Sequence, residues 1–170
     1  MKSHSQIAGF VGLLLLVTGV AALQARAEES GPGTLAGAWT LVSADVISSN
    51  GTRSGDYGAA PEGLLMIDPQ GHYSLQIYKT ERPKFASGDK KKGTPAEYEA
   101  AILGASTHFG TIRVDPAAHV FTLNVEHSTY PNQEGIPQKR TYELSGNLLS
   151  YRVATRPDGD TPVSVWRKLK

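Results

Sequence analysis

The chain contains no cysteine in 170 residues. That absence excludes a disulfide framework, a thiolate metal site and a cysteine nucleophile. Charge of one sign is also scarce, with 17 basic residues against 16 acidic ones. A nucleic-acid binder needs a basic footprint to recruit phosphates, and this balance argues against one. Nothing in the chain reads G-x-S-x-G, H-E-x-x-H or a Walker loop, so the compact signatures of hydrolase, zinc and nucleotide chemistry are missing. Internal repeats, low-complexity tracts and linkers long enough to divide the chain are missing too.

What is present begins with a leader. A short basic start (Met1–His4) precedes an apolar run from Ile7 to Leu23, and Ala25-Arg26-Ala27 supplies the small residues of a cleavage site. The run approaches the roughly 20 residues of a bilayer span, but its glycines, its threonine and the Ala27/Glu28 junction favour a signal peptide over an anchor. The expected organisation is a cleaved signal peptide over 1–27, a flexible leader over 28–36 and one domain over 37–170. The mature protein would be periplasmic or secreted, with no stable membrane anchor after cleavage. No cysteine follows the run, which excludes the lipid-modified export route. Removing Lys2 and Arg26 leaves 15 basic residues against 16 acidic ones, a net charge near −1. About 143 residues remain, enough for one core.

The remaining sequence reads as strands joined by short turns. Ala38–Ile47 is β-branched, aromatic and loosely alternating, and the Asn50-Gly51-Thr52 turn follows it. Leu64–Ile67 and Tyr73–Tyr78 flank an Asp-Pro-Gln-Gly turn. A second Asp-Pro turn joins the strands of Thr111–His127, a Ser-Gly-Asn turn joins those of Arg140–Thr155, and Thr161–Leu169 closes the chain. These segments predict about eight strands in antiparallel, up-and-down order, because short connections join antiparallel neighbours. A meander of that size hides its edges best by closing into a β-barrel, whose interior can hold one small ligand. The fold class is therefore all-β.

The one helical signal lies between Lys79 and His108. Thr94 is an N-cap, Pro95 takes the first helical position, and Glu97 completes a capping box. Tyr98, Ala101, Ile102 and Ala105 then form an apolar stripe, so the helix is expected to dock by one face and to cap a barrel mouth. The lysine-rich segment before it, Ala86–Thr94, reads as a solvated loop rather than an anion site.

Alternation assigns the inner wall. Phe121, Leu123, Val125 and His127 should share one face of their strand, and Gln138, Arg140, Tyr142 and Leu144 one face of the next. A bulge would reverse this assignment locally. Tyr78, Arg82, His108 and Tyr151 are further candidates for the same interior. A wall of aromatics with two arginines and two histidines suits a ligand with an apolar body and a polar or anionic handle, since arginine can clamp a carboxylate through paired hydrogen bonds. The plainer reading is that Arg140 and His127 are satisfied within the protein.

The residues also carry a resemblance. Tyr57–Ala101, the Phe109–Asp115 strand and His127–Ser150 contain R-P-x-F-A-S-G-D from Arg82, T-P-x-E-Y from Thr94, and P-N-x-x-G-x-x-Q-x-R from Pro131. This pattern resembles the bacterial and fungal lipocalin-like domain family, over about Gly37 to Arg167. Gly37-Ala38-Trp39 is similar to the wider lipocalin G-x-W signature. There the tryptophan plugs the barrel floor and stacks on an arginine near the end of the last strand, which here would be Arg167. The resemblance implies a calycin-type barrel and, by analogy, a small-molecule interior. The chain departs from the family at Gln133, where many members carry an aromatic, and at His127, where members often place a histidine near Asn124.

The expected function is a non-enzymatic binding protein for a small hydrophobic or amphipathic molecule. The expected ligand contacts are Tyr78, Arg82, His108, His127, Gln138, Arg140, Tyr142 and Tyr151, with no cofactor. One alternative is a barrel enzyme of isomerase, cyclase or hydrolase type, with His127 as acid/base and Arg140 or Arg82 polarising an oxyanion. Another is a metal or haem site drawn from His72, His108, His119 and His127, although their spacing forms no known ligand motif. The last is a structural barrel with a filled interior. Ligand identity and oligomeric state are not legible in the sequence.

Overall fold

A β-hairpin needs a turn whose backbone matches its strands, and the turns set the fold here. The computed structural model describes residues 31–170; the expected signal peptide lies outside them. At the first Asp-Pro turn Gly71 adopts φ 91°, its amide donates to the Asp68 carbonyl at 3.1 Å, and Asp68 Oδ1 accepts the His72 amide at 2.8 Å. This joins β3 (Glu62–Ile67) to β4 (His72–Tyr78). Asp115 closes the second Asp-Pro turn by accepting the Ala118 amide at 2.9 Å, between β5 (Ala105–Asp115) and β6 (Val120–Ser128). Gly146-Asn147 joins β7 (Pro137–Ser145) to β8 (Leu148–Arg152), with Ser145 paired to Leu148.

The chain is an eight-stranded antiparallel up-and-down barrel. It opens with β1 (Gly37–Ile47), runs in order through β3 to β9 (Thr161–Lys168), and closes where β9 pairs with β1. A ninth short strand, β2 (Arg53–Gly55), lies outside the eight and pairs only with Asp45–Ile47, on the edge where β3 serves Gly37–Thr40. It extends the rim beyond the expected eight strands.

Alternation fills one half of the barrel. Trp39, Trp166, Leu35 and Leu149 are completely buried there, with Ile67, Ile112, Val114 and Phe121 beside them. Leu35 falls in the segment expected as a flexible leader, and its side chain is part of this floor. Gly33–Leu35 forms a 3-10 turn, and Trp39 Nε1 donates to the Leu35 carbonyl at 2.9 Å. The cation over Trp39 is Lys168, with Nζ 5.1 Å from a ring centroid, and not Arg167 as the signature implied. Register explains the correction. Lys168 sits directly across from Trp39, whereas Arg167 pairs with Thr40 and faces outward, exposed.

The helix α1 (Pro95–Leu103) forms with the expected cap. Thr94 Oγ1 accepts the Glu97 amide at 3.3 Å, and Glu97 Oε2 accepts the Thr94 amide at 2.7 Å. Its docking differs from the expectation. No helix residue is buried, Ile102 and Leu103 are 56% and 64% exposed, and α1 contacts β5, the strand that follows it. Within the expected stripe Ile102 is exposed, and Tyr98 is engaged locally. It packs edge-on to Phe85 and accepts the Gly93 amide while donating to the Lys90 carbonyl.

A bulge in β6 decides the candidate site. Gly110 pairs with Val125, but Phe109 pairs with His127, leaving Glu126 as an extra residue. A Cβ on Gly110 would lie 2.0 Å from the Asn124 carbonyl oxygen, so only glycine permits the backbones to approach this closely.

Candidate functional site

The other half of the barrel contains a cavity of about 470 Å³. Its wall includes Leu75 and Ile77 from β4, Ser106 and His108 from β5, Leu123 from β6, Arg140 from β7, Tyr151 from β8 and Ser164 from β9. Loops carrying Tyr57, Tyr130, Gln133 and Arg156 close over it. The helix lines none of it, so the mouth is roofed by loops instead of the expected helix.

Arg140 is the central group. The alternation expected for β7 holds, and Arg140 is only 7% exposed. Nη1 donates to the Lys139 carbonyl at 2.9 Å and Nη2 to Gln138 Oε1 at 3.2 Å. Among the described residues no carboxylate forms an ion pair with it. Burial lowers its pKa, with the Tyr151 and Tyr73 phenols acting in the opposite direction. A guanidinium nonetheless keeps its proton at neutral pH.

His108 projects into the same space, and its Nδ1 shares a 2.9 Å hydrogen bond with the Tyr73 hydroxyl. Burial, reinforced by the Arg140 charge, lowers the imidazole pKa to about 4. It is therefore neutral at physiological pH. Burial raises the Tyr73 and Tyr151 phenols, so both keep their protons. Tyr151 lies edge-on to Phe121 and beside Ser164 and the Trp166 indole nitrogen. Burial raises the Tyr57 phenol as well, with the nearby Ser106 acting in the opposite direction. At the rim Arg156 Nη2 meets Asp56 Oδ2 at 2.8 Å.

The structure brings together His108, Arg140, Gln138 and Tyr151 of the expected residues. Tyr142 is also inside but lower, against Phe121 at 5.8 Å between ring centroids. His127 is not inside. The bulge turns it to the outer surface, where its side chain is 72% exposed, stacks near Phe109 and lies 3.5 Å from Glu134. The expected pairing of His127 with Arg140 is therefore divided by the barrel wall. Tyr78 and Arg82 are outside as well. The Arg82 guanidinium stands 4.6 Å over the Tyr78 ring, and its Nε donates to the Lys79 carbonyl. Tyr78 follows the outward row Ser74–Gln76, since β4 turns its odd residues inward. An outer groove of about 370 Å³ collects Tyr78, Phe109 and His127.

The four histidines weighed as metal ligands are dispersed. His72 is tied to Asp68 in a turn, His119 occupies the β5–β6 turn at φ 53°, His108 is inside and His127 outside. No group of three metal-ligating residues gathers among the described residues. Sequence reasoning missed Tyr73, which was legible as the inner-row neighbour of Leu75 and Ile77. It also missed Tyr57, Asp56 and Arg156, whose loops carry no period to read.

A closed eight-stranded barrel, plugged at one end and hollow at the other, belongs to the class of folds that can hold one small molecule. A family model described as a lipocalin-like domain matches residues 36–169, and the chain belongs to that family. No curated protein and no solved structure matches it.

Proposed function

We propose that the protein is an exported carrier or sensor that binds a small, partly apolar molecule inside its barrel. The observation that carries this reading is the 470 Å³ cavity, in the size range of small-molecule sites and walled by apolar and polar groups together. A purely structural barrel would fill that space, as the floor half does around Trp39 and Trp166. Export is supported by the leader pattern of Met1–Ala27.

The test is a calorimetric and thermal-shift screen of fatty acids, isoprenoids and aromatic acids. Saturable one-to-one binding with a rise in Tm is expected for at least one class. Ala44→Phe, which places a ring into the cavity wall, should abolish it. No saturable ligand in any class, or binding untouched by that substitution, would overturn the reading. Export is tested separately by N-terminal sequencing of the secreted protein, expected to begin at Glu28.

A further inference from the structure

Resting on the reading of the barrel as a binder, we infer that its ligand is a monoanionic oxyacid, seated with its carboxylate or sulfonate on Arg140 and its apolar body toward the loops. The argument is one of unmatched donors and unmatched charge. A guanidinium carries five N–H donors. Arg140 uses two, on Lys139 O and Gln138 Oε1. The remaining three have no acceptor among the described residues, and the side chain lines the cavity.

Three carboxylates line the cavity, and two of them are ion-paired. Asp45 is paired with Arg53 at 2.6 Å and Asp56 with Arg156 at 2.8 Å. Asp158, at the rim, accepts the Asp160 amide and acts on Arg156. Deeper in the wall, Tyr73, Tyr151 and His108 flank Arg140, and all three are neutral at pH 7. One positive charge with no buried counter-ion is complementary to one negative charge. A cation would be repelled, and a dianion would leave its second charge desolvated and unpaired. The Tyr73–His108 pair adds neutral hydrogen-bonding groups nearby without adding charge.

The experiment uses two probes that share one ring system and differ in charge: anilinonaphthalene sulfonate and neutral phenylnaphthylamine. Calorimetry on the purified protein should show the sulfonate binding one-to-one and at least about tenfold more tightly, as expected for charge-assisted hydrogen bonds. In Arg140→Gln the preference should fall below about twofold. Equal affinities in the unaltered protein, or a preference that survives Arg140→Gln, would overturn the charge assignment while leaving the binder reading intact. If neither probe binds, and the wider screen is equally silent, the binder reading falls and takes this inference with it. If Arg140→Gln does not fold, Arg140→Lys and Ala44→Phe locate the site, the first retaining a reduced preference and the second losing binding of both probes.

Discussion

The two halves of the barrel are built by the same alternation and do opposite things with it. In the floor half, the inward residues are Trp39, Trp166, Leu149, Ile112 and Val114, an apolar cluster with the Lys168 ammonium over the Trp39 ring. In the cavity half, the same strands turn inward Arg140, His108, Ser106 and Ser164, and space remains between them. Burial of apolar area stabilises the first half. The second contains a desolvated charge and groups that hydrogen-bond only in part, features that cost stability. The apolar core and the candidate site are thus separated along the barrel axis.

The largest expected effect tests the floor. Trp39→Ala removes a fully buried ring, its hydrogen bond to Leu35 and the surface under Lys168. Urea unfolding should show a loss of about 3–5 kcal/mol. A loss under about 1 kcal/mol would place the stabilising core elsewhere.

A smaller effect concerns the cavity half in acid. The folded pKa of His108 is about 4, below the ordinary value of 6.5, so the unfolded chain binds more protons between those values. The stability that this group contributes is fully present above pH 6.5 and is lost as the pH falls through 6.5 toward 4. At about 1.4 kcal/mol per unit, the full loss is of the order of 3 kcal/mol. His108→Asn should flatten that part of the stability–pH curve. Carboxylates also titrate in acid, so the difference between the two proteins is the measurement. Identical slopes would show that His108 is not held neutral by its surroundings.

The smallest effect has the opposite sign. Arg140→Met removes a charge that is desolvated without a counter-ion, and the ligand-free protein should gain about 1–2 kcal/mol. A loss of more than about 1 kcal/mol would mean that Arg140 is a structural group, and the contrast between the halves would collapse.

Much of the architecture was readable because its signals are local. Both Asp-Pro turns, the Gly146 turn, the Thr94–Glu97 capping box and the inward row of β7 depend on residues a few positions apart. The candidate site was readable only where alternation ran unbroken. Arg140 and Gln138 lie on such a strand, and so does Tyr151. His127 lies beyond a bulge, and one extra residue reverses a strand's faces. Gly110 within an otherwise apolar strand was the available signal, since glycine there often marks close backbone approach. Helix docking failed for a different reason. Periodicity identifies an apolar stripe but not whether a surface exists to receive it.

By itself, then, the sequence determined a run of antiparallel β-strands, its turns, its capped helix and an arginine on an inner wall. Each follows from hydrogen bonding, steric preference or side-chain direction over a short span of chain. The tertiary structure alone decided that His108, not His127, shares a cavity with Arg140, and that Lys168, not Arg167, covers Trp39. It also decided that loops, rather than the helix, roof the cavity. Those outcomes depend on register between strands distant in sequence, where a shift of one residue moves a side chain through the wall.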